Sequence, residues 1–128
     1  MKLFSFDGRI SRKEWWVLTI IIFLASVGVT AISIGGSIVT GFAFTHGASI
    51  VSGVGYIVYL ISAYIGIATN VKRFHDRGKS GWWVLIALIP LIGLIWILVE
   101  LGCLPGVSGD NEYGLDPLGG QVTAAVTQ

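Results

Sequence analysis

Apolar residues run along this chain in long blocks, and charged residues interrupt them in only a few places. From Trp15 to Val71 there are 57 residues without one Asp, Glu, Lys or Arg, and a second uncharged block runs from Ser80 to Val99. As one helix, the first block would extend about 85 Å at 1.5 Å per residue, against a hydrocarbon core of about 30 Å. It therefore has to cross more than once. Two spans of about 20 residues fit with a connection to spare, and three do not. Gly35, Gly36, Gly41 and Gly47 punctuate the middle and place the turn near 36–49. The second block is long enough for one more span. Pro90 lies within it, removes a backbone N–H and predicts a kink. The expected fold is all-α, a multi-pass transmembrane protein with three spans near 15–35, 50–71 and 81–101. These form a single membrane domain over 1–117, with a basic loop at 72–80 and a flexible tail at 118–128. A segment that dips in at Pro90 and returns is the competing form of the third span.

Charge adds an orientation to this count. Residues 1–14 carry net +2, the run from Lys72 to Lys79 carries net +3, and Glu100, Asp110, Glu112 and Asp116 carry net −4 with no Lys or Arg among them. Short Lys/Arg-rich segments stay cytoplasmic. Two basic clusters flank the 57-residue block, so it should cross an even number of times, and two crossings satisfy that. The N-terminus is then cytoplasmic, and a third span carries the acidic tail to the outside. The first apolar run is too long for a signal peptide and lacks a small-x-small cleavage site after it.

Composition agrees. The apolar fraction is 54%, the charged fraction 12% and the mean hydropathy +0.82. A small soluble domain needs far more charge to cover its surface, and disorder needs the opposite balance. Residues 105–128 are the exception: Pro105, Gly106, Gly109, Asp110, Asn111, Gly114, Pro117, Gly119 and Gly120 predict turns and disorder there.

Local signals mark where spans begin and end. Trp-Trp-Val-Leu occurs twice, at Trp15–Leu18 and Trp82–Leu85. Each copy follows a basic segment, so Trp15, Trp16, Trp82 and Trp83 are expected as interfacial anchors. Ser11 and Glu14 have the spacing of a capping box, Ser80 is placed to cap the third span, and Gly78 to end the second helix. Gly93 leaves room for a neighbouring backbone, and Ala31/Gly35 and Ser62/Gly66 are weak small-xxx-small pairs.

The densest polar stretch is Lys72-Arg73-Phe74-His75-Asp76-Arg77-Gly78-Lys79-Ser80. Gly78-Lys79-Ser80 resembles the end of a P-loop, but Arg73 occupies the position of the first Gly, and no strand precedes it. His75 and Asp76 suggest a base with its orienting carboxylate, and Ser11 or Ser80 a nucleophile. Adjacent residues on a helix point apart, however, so no catalytic residues are assigned. The favoured reading is that Glu14 and Asp76 pair with Arg12, Arg73 or Arg77, with His75 in the same polar cluster. A collar of Arg9, Arg12, Lys13, Arg73, Arg77 and Lys79 is then expected to contact anionic lipid headgroups or a partner protein.

No metal site is expected: His46 and His75 fall on opposite sides of the membrane, Cys103 is a lone cysteine on the outer side, and the acidic residues lack EF-hand spacing. Cofactors and nucleic-acid partners are not expected. Ion-coupled transporters place ionisable groups at mid-membrane depth, and none lies there in this chain. An oligomeric channel or transporter subunit is the alternative function, and a homo-oligomer or membrane protein partner is compatible with both readings.

Five blocks occur in order: Gly8-Arg9-Ile10-Ser11-Arg12-Lys13-Glu14-Trp15-Trp16; Arg73-Phe74-His75-Asp76 leading to Gly78-Lys79-Ser80-Gly81-Trp82-Trp83; Ile89-Pro90; Cys103-Leu104-Pro105-Gly106; and Asn111-Glu112-Tyr113-Gly114-Leu115-Asp116-Pro117. Over residues 4–117 the chain resembles the bacterial inner-membrane family of unknown function numbered 805. Leu115 departs from the Pro often seen there. The resemblance implies a small multi-pass protein of the cytoplasmic membrane and no activity.

Overall fold

In the computed structural model the described residues are 4–39 and 45–119, with the side chains of 33–34, 36–39 and 45–52 outside that description. The centre of the expected turn, the side chain of His46 and residues 120–128 of the expected tail therefore lie outside it. Two long helices dominate: α1 (Arg12–Val39) and α2 (Thr45–Asp76). They contain apolar stretches of 21 residues (Arg12–Ile32) and 24 residues (Gly53–Asp76), each long enough to cross a bilayer. Their outward residues, among them Ile21, Phe23, Leu24, Ile57 and Leu60, are exposed, as lipid-facing side chains are.

Each end has a local cause. The Ser11 amide and hydroxyl both donate to Glu14 Oε2, at 2.8 and 3.0 Å, and the Glu14 amide reaches back to Ser11 Oγ at 3.4 Å. This reciprocal pairing satisfies orphan donors at the start of α1. Gly78, with φ of +67°, turns the chain after α2, in the left-handed region that favours glycine. Among the described residues nothing lies within van der Waals reach of a Cβ at Gly35 or Gly66, so neither glycine marks a close helix contact there.

The third span expected at 81–101 is instead a helical hairpin. A 3₁₀ helix (Gly81–Leu88) leads up to Pro90, and α3 (Ile92–Ile97) with a π-helical segment (Leu98–Cys103) leads back. Pro90 disfavours helical backbone at the preceding residue, and Ile89 is extended there, at φ −88° and ψ 108°. Leu91 takes φ +62° and ψ −56°, and the Ile92 amide donates to the Pro90 carbonyl at 2.7 Å. That is a γ-turn of the strained, positive-φ kind. Gly93 lets the limbs meet, since a Cβ there would overlap the Ile86 carbonyl. Trp83 and Trp96 stack between the limbs with centroids 6.4 Å apart. The outgoing limb is eight residues long, roughly 16 Å at the 3₁₀ rise, about half a hydrocarbon core.

The buried core sits at one end of the long helices. Ile10, Trp15, Phe74, Ile97 and Leu101 form it, with Leu18, Val84 and Ile86 packed alongside. Residues 104–118 lie across this same end as an ordered strap, where the composition of 105–117 had predicted disorder. The acidic segment thus folds back onto the basic clusters instead of lying at the far end of a third span. Two sets of contacts hold it there: Glu100 pairs with Arg77 and Lys79 of the basic loop, and the guanidinium groups of Arg9, Arg73 and Arg77 donate to backbone carbonyls of the strap.

Candidate functional site: a charged clasp

Arg73 lies in the last turn of α2, wholly buried, and its guanidinium is the hub of the site. Nε donates to the Leu101 carbonyl at 2.9 Å, Nη2 to the Leu104 carbonyl at 2.7 Å, and Nη1 to the Ile10 carbonyl at 3.4 Å and to Asp76 Oδ2. One side chain thereby ties the entry to α1, the returning hairpin limb and the strap to α2. The planar five-donor fork of arginine suits this task.

Asp76, three residues on, binds a second arginine. Arg9 Nε and Nη2 lie 3.0 and 2.9 Å from Asp76 Oδ1, and the Arg9 side chain is only 1% exposed. Its remaining donors reach the strap: Nη1 to the carbonyls of Gly109 (2.6 Å) and Gly114 (3.5 Å), Nη2 to that of Val107 (2.6 Å). The strap in turn donates from the Val107 amide to the Asp76 carbonyl at 2.8 Å. Gly106 passes so close to the Asp76 carboxylate that a Cβ would collide with it. Asp116 accepts from the Leu118 and Gly109 amides, both at 2.9 Å, and these bonds hold its carboxyl below the usual carboxylate range.

A second knot closes the base of the hairpin. Glu100 Oε1 accepts from Arg77 Nε at 3.2 Å and meets Lys79 Nζ at 2.7 Å. Arg77 Nη1 also donates to the Pro105 carbonyl. The Lys79 ammonium lies 5.0 and 5.6 Å from the ring centroids of Trp83 and Trp96, within cation–π range.

Several expectations are corrected by this geometry. Arg9 and Arg73 are interior groups of the clasp rather than headgroup contacts. Glu14 caps α1 through Ser11 and forms no ion pair among the described residues. Trp15, expected at the interface, is 1% exposed, and its Nε1 donates to Asn70 Oδ1 of α2 at 2.9 Å. Trp16 stays partly exposed while its Nε1 reaches the Gly102 carbonyl at 3.2 Å. Trp82 and Trp83 are exposed. Arg12 and Lys13 are exposed as well, and Arg12 donates to the Cys103 carbonyl at 3.0 Å. Cys103, expected at the opposite end of a third span, therefore sits beside the start of α1.

His75 and Asp76 do not cooperate. The His75 ring stacks on Tyr113 with centroids 4.0 Å apart, Asn111 Nδ2 donates to its carbonyl at 2.9 Å, and its Nδ1 has no hydrogen-bond partner among the described residues. Among the described residues no three His, Cys, Asp or Glu side chains converge in a metal-binding group. A cleft of about 570 Å³ opens beside the clasp, lined by Arg12, Arg73, Asp76, Asp116 and the backbone of 105–109. Asp76 and Arg73 are satisfied by partners within the chain. Sequence reading missed the strap's part in the site, because the strap is held through its backbone carbonyls; the one signal available was Glu100 beside the surplus cations of the basic loop.

Two long apolar helices with a core and charge cluster at one end define a helical membrane protein. The match is specific: the family model described as "Protein of unknown function (DUF805)" covers residues 3–115, and the chain belongs to that family. It is similar to "Inner membrane protein YhaH" of Escherichia coli, at 34% identity over 116 residues, 88% of this chain and 87% of the relative. "Inner membrane protein YhaI" of the same organism is 31% identical over 114 residues, 88% of this chain and 86% of the relative. "Uncharacterized protein YiiR", also of Escherichia coli, is 27% identical over 138 residues. No solved structure matches the chain.

Proposed function

We propose that this is a non-enzymatic interaction module of the cytoplasmic membrane, crossing it with α1 and α2 while the hairpin enters and returns. The N-terminus, the basic loop and the strap then share the cytoplasmic face, and Arg12 and Lys13 contact anionic lipid headgroups. The observation that carries this reading is that both residues are exposed at the start of α1 without an acidic partner among the described residues. They are the part of the expected collar left over once the clasp has used Arg9, Arg73, Arg77 and Lys79. The positive-inside rule supports the side, and the separation of His75 from Asp76 supports a non-catalytic role.

Each basic group near an anionic leaflet contributes about 1 kcal/mol, so the pair is worth roughly tenfold or more in lipid retention. The test is native mass spectrometry of the full chain after mild extraction, counting phosphatidylglycerol carried by the wild type and by Arg12→Gln/Lys13→Gln. The double variant should lose that lipid, and added salt should weaken wild-type retention. Equal retention overturns the reading; loss of a co-purifying protein with unchanged lipid points instead to a protein partner.

A further inference from the structure

The outer face of the returning hairpin limb carries an apolar groove of about 470 Å³, lined by Ile92, Ile95, Trp96, Val99 and Glu100. Four of these five side chains suit a hydrocarbon chain. The fifth is a buried carboxylate, 7% exposed, at the end nearest the basic loop. Among the described residues both Arg77 and Lys79 bind Oε1 of Glu100, and none bonds to Oε2. The Arg77 and Lys79 side chains remain 20% and 29% exposed, so both cations are reachable.

We infer that this groove binds a phospholipid whose headgroup carries both a phosphate and a primary ammonium, a phosphatidylethanolamine. One acyl chain lies along Ile92, Ile95 and Val99. The phosphate meets Arg77 and Lys79, and the ammonium donates to Glu100 Oε2. The choice rests on charge complementarity: two cations and one acid stand side by side where the groove reaches headgroup level. A phosphate alone leaves Glu100 without a ligand cation. A quaternary headgroup supplies charge but no N–H donor. A glycerol headgroup brings the same phosphate with neutral hydroxyl donors, so it satisfies the cations and offers Glu100 no counter-charge. The apolar groove alone does not select among lipids, so selection falls to Glu100.

The inference shares the membrane reading above and is independent of Arg12 and Lys13. Its test uses the delipidated full chain in detergent, offered equal amounts of phosphatidylethanolamine, phosphatidylcholine and phosphatidylglycerol of identical acyl composition, with retained lipid counted by native mass spectrometry. The wild type should retain phosphatidylethanolamine about tenfold over phosphatidylcholine, the size of one charge-assisted hydrogen bond. The mono- and dimethylated headgroups should fall between them. Glu100→Gln should abolish that preference, and Ile95→Trp, which fills the exposed groove without touching an ion pair, should abolish retention. Should Glu100→Gln unfold, Ile95→Trp and the methylation series still decide. Equal retention of ethanolamine and choline lipids overturns the inference, as does a preference that survives Ile95→Trp. A preference for phosphatidylglycerol that Ile95→Trp removes and Arg12→Gln/Lys13→Gln leaves intact overturns the choice of ethanolamine. A two-chain species that Ile95→Trp separates assigns the groove to a second copy and overturns it as well.

Discussion

Replacing Asp76 by Asn removes one negative charge from the centre of the clasp while keeping the shape of the side chain. Asp76 is 3% exposed, Arg73 0%, and the Arg9 side chain 1%, so both guanidinium groups lose their counter-charge where water cannot replace it. Breaking a buried ion pair by removing one partner costs about 3–5 kcal/mol. A domain is stable by only about 5–15 kcal/mol, so Asp76→Asn forfeits roughly a fifth or more of the total. The loss should fall first on the strap, because Arg9 holds the carbonyls of Val107, Gly109 and Gly114 only while Asp76 fixes it in place. The assay is unfolding in mild detergent followed by tryptophan fluorescence, since Trp15 and Trp16 report on this end of the molecule. Adding Arg9→Met to Asp76→Asn removes one stranded cation and should recover part of the loss, with a coupling of about 1–3 kcal/mol. Stability of Asp76→Asn within about 0.5 kcal/mol of the wild type, or strict additivity in the double variant, would refute a buried clasp.

Other consequences are separable. Gly93→Ala should destabilise by opening the hairpin, because its Cβ has no space beside Ile86, whereas Gly28→Ala, with open space, should be neutral or stabilising by up to about 1 kcal/mol; thermal unfolding of the pair checks this. Leu91→Gly should relieve the positive-φ turn and be tolerated or stabilising by about 1 kcal/mol, read in the same way. Trp15→Phe should cost about 1–2 kcal/mol by stranding Asn70 Oδ1, and a variant of unchanged stability would show that the bond contributes nothing. Asp116 has a lowered folded pKa, so its contribution is complete above its unfolded value near 3.8 and disappears as pH falls through the folded value. The amide resonances of Leu118 and Gly109 should therefore titrate together with a midpoint below 3.8, and a midpoint at or above it would contradict the arrangement.

The two long helices were legible because 57 uncharged residues between basic clusters admit one solution in a bilayer, and the Ser11–Glu14 box and Gly78 mark two of their ends. The third segment was ambiguous for a physical reason. A 20-residue apolar run is long enough either to cross once or to fold at its middle, and length does not choose between them. Pro90 raised the second possibility, and Gly93 with the Glu100–Lys79 pair makes it compact. The outside position expected for the tail followed from reading 81–101 as a full crossing away from the basic loop. Glu100 instead pairs with Arg77 and Lys79, and the strap is held by arginine-to-carbonyl bonds, which hydropathy does not report. Trp15 was misplaced by the same limit: a Trp beside a basic segment suits an interface, and only its partner Asn70, 55 residues away, reveals that it is interior.

The central claim is that the strap and the basic clusters share one side of the membrane. Cys103 is exposed and is the only cysteine, so a membrane-impermeant thiol reagent can read its side directly. Ser108→Cys in a Cys103→Ser background repeats the reading at an exposed strap position, and Gly41→Cys in the same background, between positions 39 and 45 of the sequence, is the control expected on the opposite face. In intact spheroplasts position 41 alone should be labelled, with positions 103 and 108 reacting only after lysis. Labelling of 103 and 108 before lysis would contradict it and restore a third full crossing.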